Sequence, residues 1–164
     1  MSNEFSFIAN AETDTDRFGA ALASVLPAGA VIALNGTLGA GKTRLVQAIA
    51  KGVGVPSRDV VSPTFVLLHE YPVPAGGLVS MIYHLDTYRL RDEDEFLQLG
   101  PEEFYESGGW TIIEWAERVA RCLPREYLRL DVELTGTTTR RFHCTAVGER
   151  FQPVIAALAA QITE

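Results

Sequence analysis

Basic residues are scarce in this 164-residue chain: 14 Lys and Arg stand against 21 Asp and Glu, for a formal net charge of −7 and a sequence pI near 5.0. A protein that grips nucleic acid unaided carries a basic face. Tight direct binding of RNA or DNA is therefore disfavoured, and nucleic acid is expected to be reached through a partner. Cysteine is scarcer still. Cys122 and Cys144 stand in no C-x-x-C or metal-ligand spacing, which points away from a disulfide framework or a zinc site and towards reduced thiols in a cytoplasmic protein. Met1-Ser2-Asn3-Glu4 has neither the basic nor the long apolar region of a secretory signal. The uncharged run from Phe18 to Gly41 is long enough to resemble a membrane span, but Pro27, Gly29 and a glycine-rich loop interrupt it. It reads as buried core, with no membrane association. No internal repeat or low-complexity segment appears.

What is present is a chain that is 47% hydrophobic and long enough to bury a sizeable core as one domain. Gly36-Thr37-Leu38-Gly39-Ala40-Gly41-Lys42-Thr43 has the spacing G-x-x-x-x-G-K-[ST]. In such a loop, glycines let successive backbone N–H groups turn inward around phosphate oxygens. Lys42 is expected to reach the β- and γ-phosphates, and the Thr43 hydroxyl to bind Mg²⁺. The flanks fit. Val31-Ile32-Ala33-Leu34 is a strand-type run, and Val46, Ile49, Ala50 and Val53 recur as one helix face does. A helix starting there points its free N–H groups at the phosphate.

The remaining elements alternate between strand and helix patterns. Glu4 to Ile8 predicts a first strand, and a helix to about Leu26 follows with Asn10 or Thr13 as its cap. Val66 to Tyr71 and Leu78 to Leu85 predict two strands joined at Pro74-Ala75-Gly76-Gly77. Asp92 to Glu106 holds seven acidic residues and no basic one, and predicts two short helices divided at Gly100-Pro101. A strand at Trp110 to Trp115 and a short helix to about Cys122 come next. Two strands, Leu128 to Leu134 and Thr139 to Val147, precede a last helix bearing Phe151, Val154, Ile155, Leu158, Ala159 and Ile162.

Several residues could carry chemistry. Asp86 ends an apolar strand, where a P-loop NTPase keeps its second metal-side carboxylate; a turn or cap aspartate is the plainer alternative. Thr64, in Ser62-Pro63-Thr64, is placed to sense a γ-phosphate and complete a Mg²⁺ shell, or simply to bond nearby backbone. Glu114 could orient or activate the attacking water, or pair with a later arginine. Trp115 reads as core or interface. His84 should share the face of Asp86, two residues on, in a structural role. Arg44, Arg89 and Arg91 are candidates for stabilising transferred-phosphoryl charge, while Arg118, Arg121, Arg125 and Arg129 read as a solvated basic stretch.

Taken in series, Leu34 to Thr43, Ser62-Pro63-Thr64-Phe65, His84-Leu85-Asp86-Thr87-Tyr88-Arg89 and Ile113-Glu114-Trp115 resemble the TsaE (YjeE) family over roughly residues 10 to 135. The phosphate loop alone is common to many families; the ordered series is far more specific. The resemblance implies an α/β fold, a single P-loop NTPase-like domain with a mixed central β-sheet flanked by helices. It implies ATP hydrolysis with Mg²⁺. ATP would be held by Gly36, Thr37, Leu38, Gly39, Ala40, Gly41, Lys42, Thr43 and Arg44. Lys42, Asp86 and Glu114 would be catalytic, with Thr43, Thr64, Asp86 and Glu114 on the metal side. Trp115 would pair functionally with Glu114. Family members act with TsaD and TsaB, which transfer a threonylcarbamoyl group to adenosine 37 of tRNAs reading codons that begin with A; the ATPase resets the transferase between rounds. The chain departs from the family pattern at Thr37, where an acidic residue is frequent, and at Arg44, where threonine is frequent. The alternative is a stand-alone small-molecule kinase, for which no arginine-bearing lid segment is evident.

Overall fold

The computed structural model describes residues 2–37 and 39–162. Seven strands form one sheet: β1 (Glu4–Ala9), β2 (Val31–Gly36), β3 (Leu68–Pro72), β4 (Met81–Asp86), β5 (Trp110–Glu114), β6 (Tyr127–Leu134) and β7 (Arg140–Val147). Their spatial order is β1-β7-β6-β2-β5-β4-β3. β6, β2, β5 and β4 run parallel; β1, β7 and β3 add antiparallel edges. The architecture is the expected α/β fold with a mixed sheet.

Helices cover both faces, because the central strands are apolar on both. On one side lie α1 (Glu12–Val25), α2 (Lys42–Lys51) and α5 (Gln152–Ile162), packed on Ile32, Leu34, Ile82, Ile112, Leu130 and Phe142. Phe18 of α1 stacks between Phe7 and Phe142, with ring centroids 5.4 and 4.9 Å away. The other side is smaller. There α3 (Glu93–Leu97), α4 (Pro101–Glu106) and a 3-10 segment (Ala116–Cys122) cover Val31, Ala33, Leu85 and Ile113. Helices α1 and α2 come so close that a Cβ at Gly19 would lie 2.3 Å from the Ala48 Cβ. That contact fixes α2, and with it the phosphate loop, against the core.

Four local expectations are corrected. Neither Asn10 nor Thr13 caps α1; Ala11 holds the cap position, and the Asn10 N–H instead donates to Asp14 at 2.9 Å. The strand expected from Val66 begins at Leu68. Pro63 to Leu67 forms a turn closed by the Val66 and Leu67 amides on the Pro63 carbonyl, with Leu67 at φ 74°. The strand expected from Leu78 begins at Met81, because residues 73–80 complete the hairpin connection. The helix expected before Cys122 is a 3-10 segment interrupted at Val119. Elsewhere Pro101 opens α4 and Asp92 caps α3 through the Glu95 amide. Among the described residues no helix is long and apolar enough to cross a membrane. Cys122 and Cys144 are free thiols; burial pushes the Cys144 thiol up to about 12.

Candidate functional site

Three parallel strands end side by side above the amino terminus of α2. β2 runs into the glycine loop, β4 ends in Asp86 and β5 ends in Glu114, with Asp86 and Glu114 paired in register. Ligands in open α/β sheets bind at such carboxyl ends. The loop's tight path depends on Gly41. Its φ is 102°, and a Cβ there would meet the Arg140 side chain at 2.7 Å. Arg140 braces the loop from β7 by donating to the Ala40 carbonyl at 2.8 Å.

Lys42 curls back over its own loop. Its Nζ donates to the Gly36 and Thr37 carbonyls at 2.6 and 3.0 Å and lies 4.0 Å from the centroid of the Trp115 ring. Desolvation lowers the Lys42 pKa below its ordinary value, opposed by the charges of Glu114, Glu117 and Asp86. Trp115 itself holds a left-handed backbone at φ 59°. Such a conformation strains a bulky residue. The Thr87 hydroxyl, at 2.7 Å, and the Arg118 amide, at 3.0 Å, fix its carbonyl.

The carboxylates are buried and ordered by hydroxyl groups. The Thr43 Oγ1 donates across both Glu114 oxygens, at 3.2 and 3.1 Å. Thr64 Oγ1 donates to Asp86 at 2.8 Å, and Ser62 lies 3.4 Å from the same oxygen. The Tyr88 amide donates to the other Asp86 oxygen at 2.9 Å. These residues line a cavity of about 450 Å³, with Gly39, Lys42, Arg44, Arg89 and Trp115 on its walls.

Thr43, Thr64, Asp86 and Glu114 thus converge as two carboxylates and two hydroxyls. All are hard oxygen donors. Among the described residues no group of three His, Cys, Asp or Glu side chains could hold a metal alone. Mg²⁺ is commonly held by one or two carboxylates together with substrate phosphates, so this donor set fits it.

The expected site residues therefore meet, with exceptions. Leu38 lies outside the described residues. Arg44 lines the cavity but is held by Asp16 at 2.6 Å. Arg89 lines it with its guanidinium over the Phe65 ring. Arg91 turns away to Glu95. Arg118 donates to the Leu90 carbonyl, Arg121 pairs with Glu93 and Arg129 with Asp131. The acidic and basic stretches thus meet through Glu93 and Arg121. Sequence reasoning missed Arg140, gave Ser62 no role beyond its place in the Ser62-Pro63-Thr64 segment and gave His84 no link to Glu114. The available signal was parity: His84 and Asp86 share a face, and register carries that face to Glu114.

The family model described as "Threonylcarbamoyl adenosine biosynthesis protein TsaE" matches residues 9–142. The chain is similar to the tRNA threonylcarbamoyladenosine biosynthesis protein TsaE of Bacillus subtilis, with 37% identity over 131 residues, 80% of this chain and 78% of that protein. The protein of that name from Nostoc is 44% identical over 117 residues, 69% of this chain and 68% of that one. Among solved structures, the crystal structure of Bacillus subtilis YdiB superposes with a TM-score of 0.79 at 28% identity, covering 98% of this chain and 97% of that one.

Proposed function

The chain belongs to the TsaE family and is a P-loop NTPase-like protein of tRNA threonylcarbamoyladenosine biosynthesis, and from that premise we propose that it is a Mg²⁺-dependent ATPase acting on the TsaD–TsaB transferase. The observation that carries this reading is the convergence of Lys42, Thr43, Thr64, Asp86 and Glu114 at one cavity.

Each residue has a role in the proposed hydrolysis. The loop amides and the α2 amino terminus receive the phosphates. Lys42 leaves its two carbonyl partners to meet the β- and γ-phosphate oxygens. Mg²⁺, when bound, supplies charge neutralisation, with Thr43 and Asp86 as its protein donors and Thr64 and Glu114 beside them. Glu114 orients the attacking water. Thr64 couples the presence of a γ-phosphate to the position of the Ser62–Thr64 loop.

A partner-dependent mechanism accords with the surface. Phe65 is 82% exposed and Val66 60% exposed on the turn beside the site, and Tyr88, half-open, packs its ring against Trp115 at the cavity wall. An apolar rim of this kind marks a protein contact. The net charge of −7 suits a component that leaves tRNA to its partners. We place the chain in the cytoplasm with that machinery, where its two thiols stay reduced.

The test is substitution of Lys42 and Asp86. Lys42→Ala and Asp86→Ala should each lose phosphate release from ATP while keeping the native circular dichroism spectrum. Full hydrolysis by either folded variant would remove the site assignment. Transfer of the γ-phosphate to a metabolite instead of water would decide for the kinase alternative.

A further inference from the structure

The buried face of the hairpin β3–β4 carries a chain of polar contacts with both ends at the candidate site. Tyr71 of β3 and His84 of β4 are diagonal neighbours in the antiparallel register. The Tyr71 hydroxyl lies 2.9 Å from His84 Nδ1, and His84 Nε2 lies 2.5 Å from Glu114 Oε2. Glu114 in turn accepts from Thr43. At the opposite end the Tyr71 hydroxyl donates to the Val61 carbonyl at 3.1 Å. Val61 begins the Ser62-Pro63-Thr64 loop, and Thr64 returns to Asp86. Asp86 stands beside Glu114 in the sheet. These hydrogen bonds, the chain from Val61 to Thr64 and the strand pairing of Asp86 with Glu114 together link the two carboxylates by way of Tyr71 and His84.

Packing alone does not ask for these groups. His84 is fully buried and Tyr71 nearly so. An apolar pair of similar shape would fill the same space without polar atoms to satisfy. The phenol has a single proton, which serves either Val61 or His84 Nδ1. When the phenol proton goes to Nδ1, a neutral His84 ring carries its own proton on Nε2, facing the Glu114 carboxylate; when it goes to Val61, Nδ1–H donates to the phenol oxygen, and Nε2 can donate to Glu114 only as the imidazolium. The base of the loop is held a second time by Gln47 of α2, whose side-chain amide donates to the Val60 carbonyl at 2.9 Å. The loop thus takes its seat from the phosphate-loop helix on one side and from Tyr71 on the other.

We propose that Tyr71 and His84 are positioning residues: they hold the Glu114 carboxylate against Thr43 and couple that orientation to the seat of the Thr64 loop. The proposal rests on the ATPase reading above. It assigns neither residue any contact with nucleotide. Both act through Glu114 and Val61.

The experiment compares Tyr71→Phe, His84→Leu and His84→Gln with the wild-type chain. It measures kcat and KM for ATP with Mg²⁺, thermal midpoints, and amide hydrogen exchange at Val66 and Leu67 in the nucleotide-free protein. Tyr71→Phe removes one oxygen and should fold. Its kcat should fall about fivefold to tenfold, with KM within about twofold, as for loss of one well-aligned hydrogen bond. Its Val66 and Leu67 amides should exchange about threefold faster, a smaller effect because His69 also reaches the Val61 carbonyl. His84→Leu should lose about a hundredfold in kcat. His84→Gln places an amide donor near Glu114 and should recover about tenfold of that loss.

Wild-type kcat and wild-type exchange in Tyr71→Phe would overturn the proposal. So would equal losses in His84→Gln and His84→Leu that track their thermal midpoints, which is the behaviour of a purely structural histidine. A wild-type chain that does not hydrolyse ATP, alone or with TsaD, TsaB and tRNA, would overturn the ATPase reading, and the proposal's catalytic half with it. The exchange measurement needs no nucleotide and still decides whether Tyr71 seats the loop.

Discussion

Phe142 and His84 are both fully buried on the same face of one sheet, in opposite surroundings. Phe142 lies in a stack with Phe18, itself against Phe7, where dispersion and apolar burial are the whole interaction. His84 lies where β4 and β5 end, with a partner on each ring nitrogen. Burial is equal, so burial by itself says nothing of function. The difference is what would be left behind on deletion. Removing the Phe18 ring leaves a void, whereas removing a member of the polar cluster leaves unpaired hydrogen-bonding groups and a misplaced carboxylate. The apolar region holds the sheet and α2 in place, and the polar region spends that rigidity on geometry.

The contrast can be broken in four ways, from the largest effect to the smallest. Phe18→Ala should cost about 3–5 kcal/mol in urea unfolding, while the molecules still folded keep their hydrolytic rate. A stable Phe18→Ala chain would mean that the stack does not anchor the fold. Asp86→Ala should do the reverse, lowering phosphate release about 10²- to 10³-fold in a chain that remains folded.

A subtler effect concerns alkaline pH. The Lys42 ammonium is desolvated and its pKa lies below the ordinary 10.5. The unfolded chain therefore holds its proton to higher pH than the folded one. The penalty for burying this charge is fully present below the folded pKa and is lifted as pH rises towards 10.5. Lys42→Met should remove that stabilising slope in unfolding measurements across the alkaline range; an unchanged slope would contradict the desolvation. Smallest is Thr111→Val on β5. The Thr111 hydroxyl is buried with no hydrogen-bond partner among the described residues. Its loss should change stability by about 1 kcal/mol or less, in the stabilising direction. A large loss would reveal a partner for that hydroxyl.

The frame of the site was legible because its signals are local. The phosphate loop, its strand and its helix lie within residues 31–51, and each follows from spacing and period. The ends of β4 and β5 were legible as apolar runs closed by Asp86 and Glu114. The Pro63–Leu67 turn was not. Val66 and Leu67 are apolar and read as strand, yet Leu67 takes a left-handed backbone that lets its carbonyl accept from the Asp86 amide at 3.0 Å. Trp115 likewise follows a strand without continuing it, since Thr87 and Arg118 capture its carbonyl. The His84–Glu114 contact joins residues 30 apart, and Arg140 reaches the loop from 100 residues away. Contacts of that range depend on strand order, which no local pattern carries. The helix cap failed for another reason. Asp14 reaches back from inside the helix to the Asn10 amide, and the Asp14 and Thr15 amides turn to the Ala11 carbonyl instead of a cap side chain.

Phosphate release from ATP with Mg²⁺, measured for the chain alone and then with the TsaD–TsaB pair and tRNA, tests the central claim most directly. The account predicts slow release alone, a rise when the partners are added, and loss of both in Asp86→Ala. Rapid release by the isolated chain, unchanged by the partners or by Asp86→Ala, would contradict it.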